Sequence, residues 1–241
     1  MPNIYSSIPH LPGSRLGKTD KYITEGQAKI ATIKARPHDI VVVTEKLDGA
    51  CVGCTKIDGT LVPLTRSGRR CTESTMVHHL LFADWVYQHQ NRFNRLLQEG
   101  ELVVGEWLAL AHGMRYFPER VLGWEPFVAL DIFTLDNKPL VYSKFLDRVK
   151  TVFHTPPLVS NRYPCSIEQA QTLHPDSGYG GEFVEGYVWR VERNNYYYKG
   201  EGLDYRCKWV NSDFQPGCLL LNQKATWNWK PLITLPWSNN L

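Results

Sequence analysis

Four apolar runs with strand character each carry an embedded charge, and that pattern restricts this chain more than any other. Lys46 follows Val41-Val42-Val43-Thr44-Glu45, Glu106 sits within Glu101 to Ala109, Glu185 within Glu182 to Val191, and Lys208 within Tyr205 to Val210. A charge inside an apolar strand is costly unless it finds a partner or faces a polar cleft. One such residue is commonly a structural ion pair, and Lys46-Leu47-Asp48-Gly49 taken alone reads equally well as a solvated pair of modest strength. Four of them, with Asp48 and Arg66, imply strands converging on one polar cleft. Side chains alternate faces along a strand, so Lys46 and Asp48 share a face, and Gly49 permits a tight turn or close approach of a ligand.

The remaining β signals support this reading. Val41 to Glu45, Cys51 to Ile57 and Leu61 to Thr65 read as successive strands, with Asp58-Gly59 as a hairpin turn between the last two. Phe127 to Phe133 is a further strand with Asp131 embedded in it. Asn194-Asn195 turns the strand ending at Val191 into Tyr196-Tyr197-Tyr198-Lys199, a second hairpin. Helices are expected over Glu25 to Lys34, from a cap at Thr72 or Ser74 through Leu97, over Ser143 to Phe153, and over Ser166 to Leu173 capped by Ser166. His174 to Gly181 reads as a flexible, Gly-rich loop.

Composition excludes several classes. No apolar run approaches the ~20 residues that span a bilayer. The start, Met1-Pro2-Asn3-Ile4-Tyr5, lacks a basic stretch followed by an apolar one, so a cytoplasmic protein with no membrane partner is expected. The net charge of +3 is small, which makes any polyanion site local. Arg66-Ser67-Gly68-Arg69-Arg70 reads either as a solvated surface loop or as such a site, since guanidinium groups bind phosphate oxygens in a bidentate way. Six cysteines in 241 residues do not form a disulfide framework. Cys51 and Cys54 have a C-x-x-C spacing without a second pair at suitable distance, so buried free thiols are expected rather than a metal site.

Bases and acids lining one cleft suit a nucleotide with a divalent metal. Here the chain resembles the covalent nucleotidyltransferase superfamily of ATP-dependent ligases and capping enzymes, and within it the RNA ligase 2-like family. Glu45-Lys46-Leu47-Asp48-Gly49 matches the K-x-D-G motif and Arg66 the arginine of the next motif. Gly105-Glu106-Trp107 matches the following glutamate motif and Phe127 to Ile132 the aromatic-Asp strand. Glu185-Gly186-Tyr187-Val188 and Arg206-Cys207-Lys208 match the last two. All arrive in family order over about residues 4 to 214.

The resemblance implies an α+β fold: two mainly antiparallel β-sheets flanked by helices, ATP-grasp-like, with the nucleotide between them. With 33 residues after Lys208, one nucleotidyltransferase domain with a short tail from about residue 216 and no OB-fold domain is expected. It further implies an ATP-dependent RNA ligase in which Lys46 attacks the α-phosphate of ATP and becomes lysyl-AMP. An ordinary lysine near pKa ~10.4 is protonated, so Lys208, Arg66 and a metal are expected to lower it. Asp48 and Glu185 are implied as ligands of Mg²⁺ or Mn²⁺, Glu106 as the ribose acceptor, and Val188 and Leu130 as the adenine sandwich. Thr44 and Glu45 would read the adenine edge through their main chain, beside Gly49, and Lys208 would contact the α-phosphate with Arg66 and Arg206 nearby. The partner implied is RNA, including nicked duplexes and RNA/DNA hybrids, gripped by Arg69, Arg70, Arg115 and Arg120. No protein partner is implied.

Three positions depart from the family pattern: Leu130 replaces a Phe, Arg206 a Lys, and Cys51 an Asn. They motivate a rival reading, a nucleic-acid-binding module with a degenerate cleft. The same motifs are also compatible with a DNA ligase or a capping-type guanylyltransferase.

Overall fold

The computed structural model describes residues 3–193, 202–220 and 225–230. Its strands are β1 (Asp39–Lys46), β2 (Ala50–Ile57), β3 (Thr60–Thr65), β4 (Leu102–Trp107), β5 (Phe127–Phe133), β6 (Leu158–Asn161), β7 (Gly186–Arg193) and β8 (Gly202–Val210). Its α-helices are α1 (Glu25–Thr32), α2 (Val77–Gln88), α3 (Gln90–Leu96), α4 (Tyr142–Val149) and α5 (Ile167–Leu173). The strands form two four-stranded sheets, ordered β6-β1-β7-β8 and β3-β2-β4-β5, and every pairing is antiparallel. This is the expected α+β arrangement.

Alternation along β1 divides the core. Val41 and Val43 pack outward with Ala28 and Ala31 of α1, Ala170 of α5 and Trp189. Val42 faces the other way, into a cluster with Val52, Val103 and Phe127. Phe82 and Trp85 of α2 and Phe93 of α3 belong to that same cluster, so these helices cover the second sheet. Lys46, at the end of β1, is therefore on the cleft side of the first sheet by the same period of two. The β2–β3 turn is built as its Asp-Gly pair requires, with φ of 49° at Asp58 and 72° at Gly59.

Several local expectations are corrected. One helix through Leu97 is instead two, which meet at His89, where φ of −108° and ψ of 23° leave the helical range. Neither Thr72 nor Ser74 caps α2. Met76 holds that position without a side-chain bond, while Ser74 Oγ pairs with His79 Nδ1 at 2.8 Å. The buried face of α2 is His78, Leu81, Phe82, Ala83, Trp85 and Val86, so His79 and Leu80 lie off it. α4 ends at Val149, four residues short of Phe153, and β7 begins at Gly186, leaving Glu185 just before the strand. β6 had no signal beyond a short polar run. The hairpin expected at Asn194-Asn195 and Tyr196 to Lys199 lies outside the described residues.

Candidate active site

A cavity of about 330 Å³ opens between the sheets. The first sheet contributes Thr44, Glu45, Lys46, Val188, Arg206 and Lys208 to its lining. Gly49, Arg66, Glu106 and Leu130 come from the second sheet and its connections. Ten of the twelve residues singled out from the sequence thus meet in one cavity. Asp48 and Glu185 do not line it; Glu185 contacts the Lys46 amine directly, and Asp48 follows Lys46 by two residues.

Register explains the convergence. Lys46 lies opposite Gly186, and Thr44 opposite Val188, which is itself opposite Lys208. Lys46 Nζ lies 2.7 Å from Glu185 Oε1 and 2.8 Å from Oε2, so the amine sits across the whole carboxylate. On the facing sheet, Glu106 Oε1 accepts from the Gly49 amide at 3.1 Å. A side chain at Gly49 would not fit, because its Cβ would fall 2.6 Å from the Trp107 carbonyl. Val188 on β7 and Leu130 on β5 approach from opposite sheets.

Asp48 and Glu185, expected to oppose the lowering of Lys46 by Lys208, Arg66 and a metal, are prominent in its electrostatics. Burial opposes its charge, but Glu185, Glu106 and Asp48 outweigh burial and hold the amine above the ordinary lysine range. Lys208 is the lysine pushed down, by burial and then by the cation of Lys46. Burial, reinforced by Asp48, pushes Glu106 up to about 7. Burial likewise raises Glu185 to about 8 against the opposing pull of Lys46.

The donor set fits a hard divalent cation in chemistry: carboxylate oxygens at Asp48 and Glu185. Asp48 Oδ2 already accepts from the amides of Gly113 at 2.6 Å and Met114 at 3.1 Å. Among the described residues, no three His, Cys, Asp or Glu side chains gather as a complete metal cage. The cation would need phosphate and water oxygens to fill its shell, which is the usual state of magnesium.

Sequence reasoning left several contributors unassigned. Asp131, wholly buried, accepts from Tyr5 Oη at 3.1 Å, from Arg190 and from Arg206. Arg206 is committed to this network, with its guanidinium 5.0 Å from the centre of the Tyr5 ring. The acid in the β5 run was visible, but its partners on β7, β8 and the N-terminal segment were not. Glu45 points away from Lys46 behind the sheet. There its carboxylate accepts from His174 Nε2 at 2.9 Å, Ser177 Oγ at 2.5 Å and the Gly178 amide at 2.9 Å. The loop read as flexible is thus tied to the residue beside Lys46. Arg69, Arg70, Arg115 and Arg120 are all exposed. Arg115 and Arg120 lie over the Phe117 ring, at 5.7 and 4.0 Å. Cys51 and Cys54 are free thiols, and no helix among the described residues is long and apolar enough to cross a membrane.

Two antiparallel sheets enclosing a lysine-bearing cleft are the nucleotidyltransferase fold of ligases. The chain belongs to the RNA ligase family, whose profile matches residues 39–210. It is similar in structure to a Naegleria gruberi RNA ligase with pyrophosphate (TM-score 0.53, 18% identity, 87% of this chain and 60% of that one). A mutant of a Naegleria gruberi RNA ligase with ATP and manganese is similar to the same degree (TM-score 0.51, 17% identity, 88% and 61%). The chain thus spans about three fifths of the length of these relatives. At such identity the likeness is one of fold. No curated protein matches the chain.

Proposed function

We propose that this chain is an ATP-dependent RNA ligase that joins a 5′-phosphate to a 3′-hydroxyl through a lysyl-AMP intermediate. The observation that carries the reading is Lys46 Nζ, held at the mouth of a nucleotide-sized cavity by Glu185 at 2.7 Å, with Lys208 and Arg66 lining the same space. Membership of the RNA ligase family supports it.

In this reading adenine lies between Val188 and Leu130, with its edge against the main chain of Thr44 and Glu45. Glu106 accepts from the ribose. The neutral amine of Lys46 donates its lone pair to the α-phosphorus and forms an N–P bond. The bond from that phosphorus to the bridging oxygen breaks, and pyrophosphate departs with the electron pair. Lys208, facing the α-phosphate, offsets the charge that builds on its oxygens. Burial and the neighbouring cation of Lys46 lower the proton affinity of Lys208, and phosphate oxygens beside it would favour its charged form. Lys46 must lose its proton first, and its three carboxylate neighbours resist that loss. The chemistry a divalent cation supplies when held by Asp48 and Glu185 is neutralisation of these carboxylates and of the phosphates, which weakens the hold on the amine.

The AMP then passes from Lys46 to a 5′-phosphate end, and a 3′-hydroxyl displaces it to close the phosphodiester. Arg69, Arg70, Arg115 and Arg120 grip the RNA backbone, as a nick in a duplex or a hybrid with DNA, and the grip weakens with salt. Incubating the protein with ATP, Mg²⁺ and a nicked duplex carrying RNA on the 3′-hydroxyl side tests the proposal. Sealed product is expected, and failure to seal any nick of RNA or DNA, with Mg²⁺ or Mn²⁺, would contradict it.

A further inference from the structure

The extended segment of residues 4–8 crosses the cleft from one sheet to the other, and both of its ends are fastened to a cation of the site. At one end the Ile4 amide donates to the carbonyl of Arg66 at 2.9 Å. At the other, the Lys208 amide donates to the Pro9 carbonyl at 2.9 Å and the Leu11 amide to the Lys208 carbonyl at 2.8 Å. Tyr5 pins the middle through Asp131 and Arg206. Ser6 and Ser7 both line the cavity and are exposed, and neither hydroxyl has a protein partner among the described residues.

The order of the first sheet gives this segment a place along a bound nucleotide. The base edge would meet β1, the base Val188 of β7, and the α-phosphate Lys208 of β8. The next neighbour outward from β8 is the N-terminal segment, through the bridge of His10 with Lys208. A triphosphate continued in that direction leaves β8 and reaches residues 4–8. In-line displacement also needs the leaving group on the side of the α-phosphorus away from Lys46. Asp20 lines this end as well, but its Oδ2 is occupied by the Gly17 amide and His10 Nε2, each at 3.0 Å.

We propose that residues 4–8 are the subsite for the pyrophosphate portion of a nucleoside triphosphate, with the Ser6 and Ser7 hydroxyls donating to its β- and γ-phosphate oxygens beside Arg66. The inference rests on the nucleotide reading of the cleft and assigns the part of the substrate that leaves. The same hydroxyls and Arg66 hold pyrophosphate in the first step and release it before the nucleic acid is engaged.

The test is equilibrium binding of α,β-methylene-ATP, which cannot release pyrophosphate, and of AMP, both in Mg²⁺ at fixed ionic strength. Wild type should bind the methylene analogue more tightly than AMP. The double variant S6A/S7A should lose about tenfold in affinity for the analogue, as expected for hydrogen bonds to charged oxygens. Its affinity for AMP should stay unchanged, which also reports an intact fold. S6T/S7T, which keeps both hydroxyls, should retain analogue binding. An S6A/S7A protein that binds the analogue like wild type, or that loses AMP and analogue equally, overturns the assignment while leaving the ligase reading intact. A wild type that binds neither ligand overturns both.

Discussion

Lys46 Nζ and Glu185 Oε1 stand 2.7 Å apart where β1 ends and β7 begins, and this pair sets the resting state of the cleft. The contact holds the amine protonated and fixes it in place. In the proposed reaction the same carboxylate both positions the Lys46 amine and opposes its loss of a proton until other charge enters the site. Glu185→Gln should separate the two effects. Modification of Lys46 by an amine-directed reagent at pH 8 should rise, by about tenfold for each unit that its pKa falls. Lys46–AMP formation from ATP and Mg²⁺ should drop, because the proposed cation site loses one of its two carboxylates. Peptide mapping of the modified lysine against the rate of adenylylation checks both, and parallel changes in the two would contradict the account.

Glu106 gives a pH signature. Burial raises its carboxyl from the ordinary value to about 7. The native protein therefore holds a proton that the unfolded chain has already released, over the range from the ordinary carboxylate value up to about 7. Stability linked to Glu106 is complete below that range and is lost as pH rises through it. Glu106→Gln cannot ionise and escapes the loss. The melting temperature of the variant minus that of wild type should become more positive between pH 5 and pH 8. A flat or falling difference in differential scanning fluorimetry would contradict the burial argument.

Asp131 is the anion on which three donors from different parts of the chain depend: Tyr5, Arg190 and Arg206. Arg190 is itself buried and also pairs with Glu192. Removing one partner of a buried ion pair typically costs about 3–5 kcal/mol, because the other charge is left uncompensated. Asp131→Ala should be destabilised by that amount in urea denaturation. A loss under about 1 kcal/mol, within the range of exposed pairs, would show that water replaces the carboxylate freely.

Much of this was legible in the chain itself. β-branched runs broken by turn residues marked β1, β2 and β3, and an embedded charge in each of four apolar runs marked the cavity before any register was known. Less visible was what each charge would face. Lys46 read as a lysine to be depressed by Lys208 and Arg66, whereas the nearest groups are three acids brought together by pairings distant in sequence. For Glu45 the expected role was that of its main chain alone, with none for its carboxylate. Its bonds to His174, Ser177 and Gly178 depend on how a loop some 130 residues later folds back. Tyr5, Ser6 and Ser7 had no periodicity to announce them, because their place comes from crossing between sheets rather than from belonging to one. The break at His89 is a local change of backbone angles that a hydrophobic stripe does not report.

The central claim is that Lys46 takes up adenylate, and covalent labelling tests it most directly. Wild-type protein incubated with α-³²P-labelled ATP and Mg²⁺ should carry label through denaturing electrophoresis, and added pyrophosphate should remove it. Lys46→Ala should carry none, while its circular dichroism and melting remain close to wild type. Label that persists in Lys46→Ala, or a wild type that takes up none, would contradict the account.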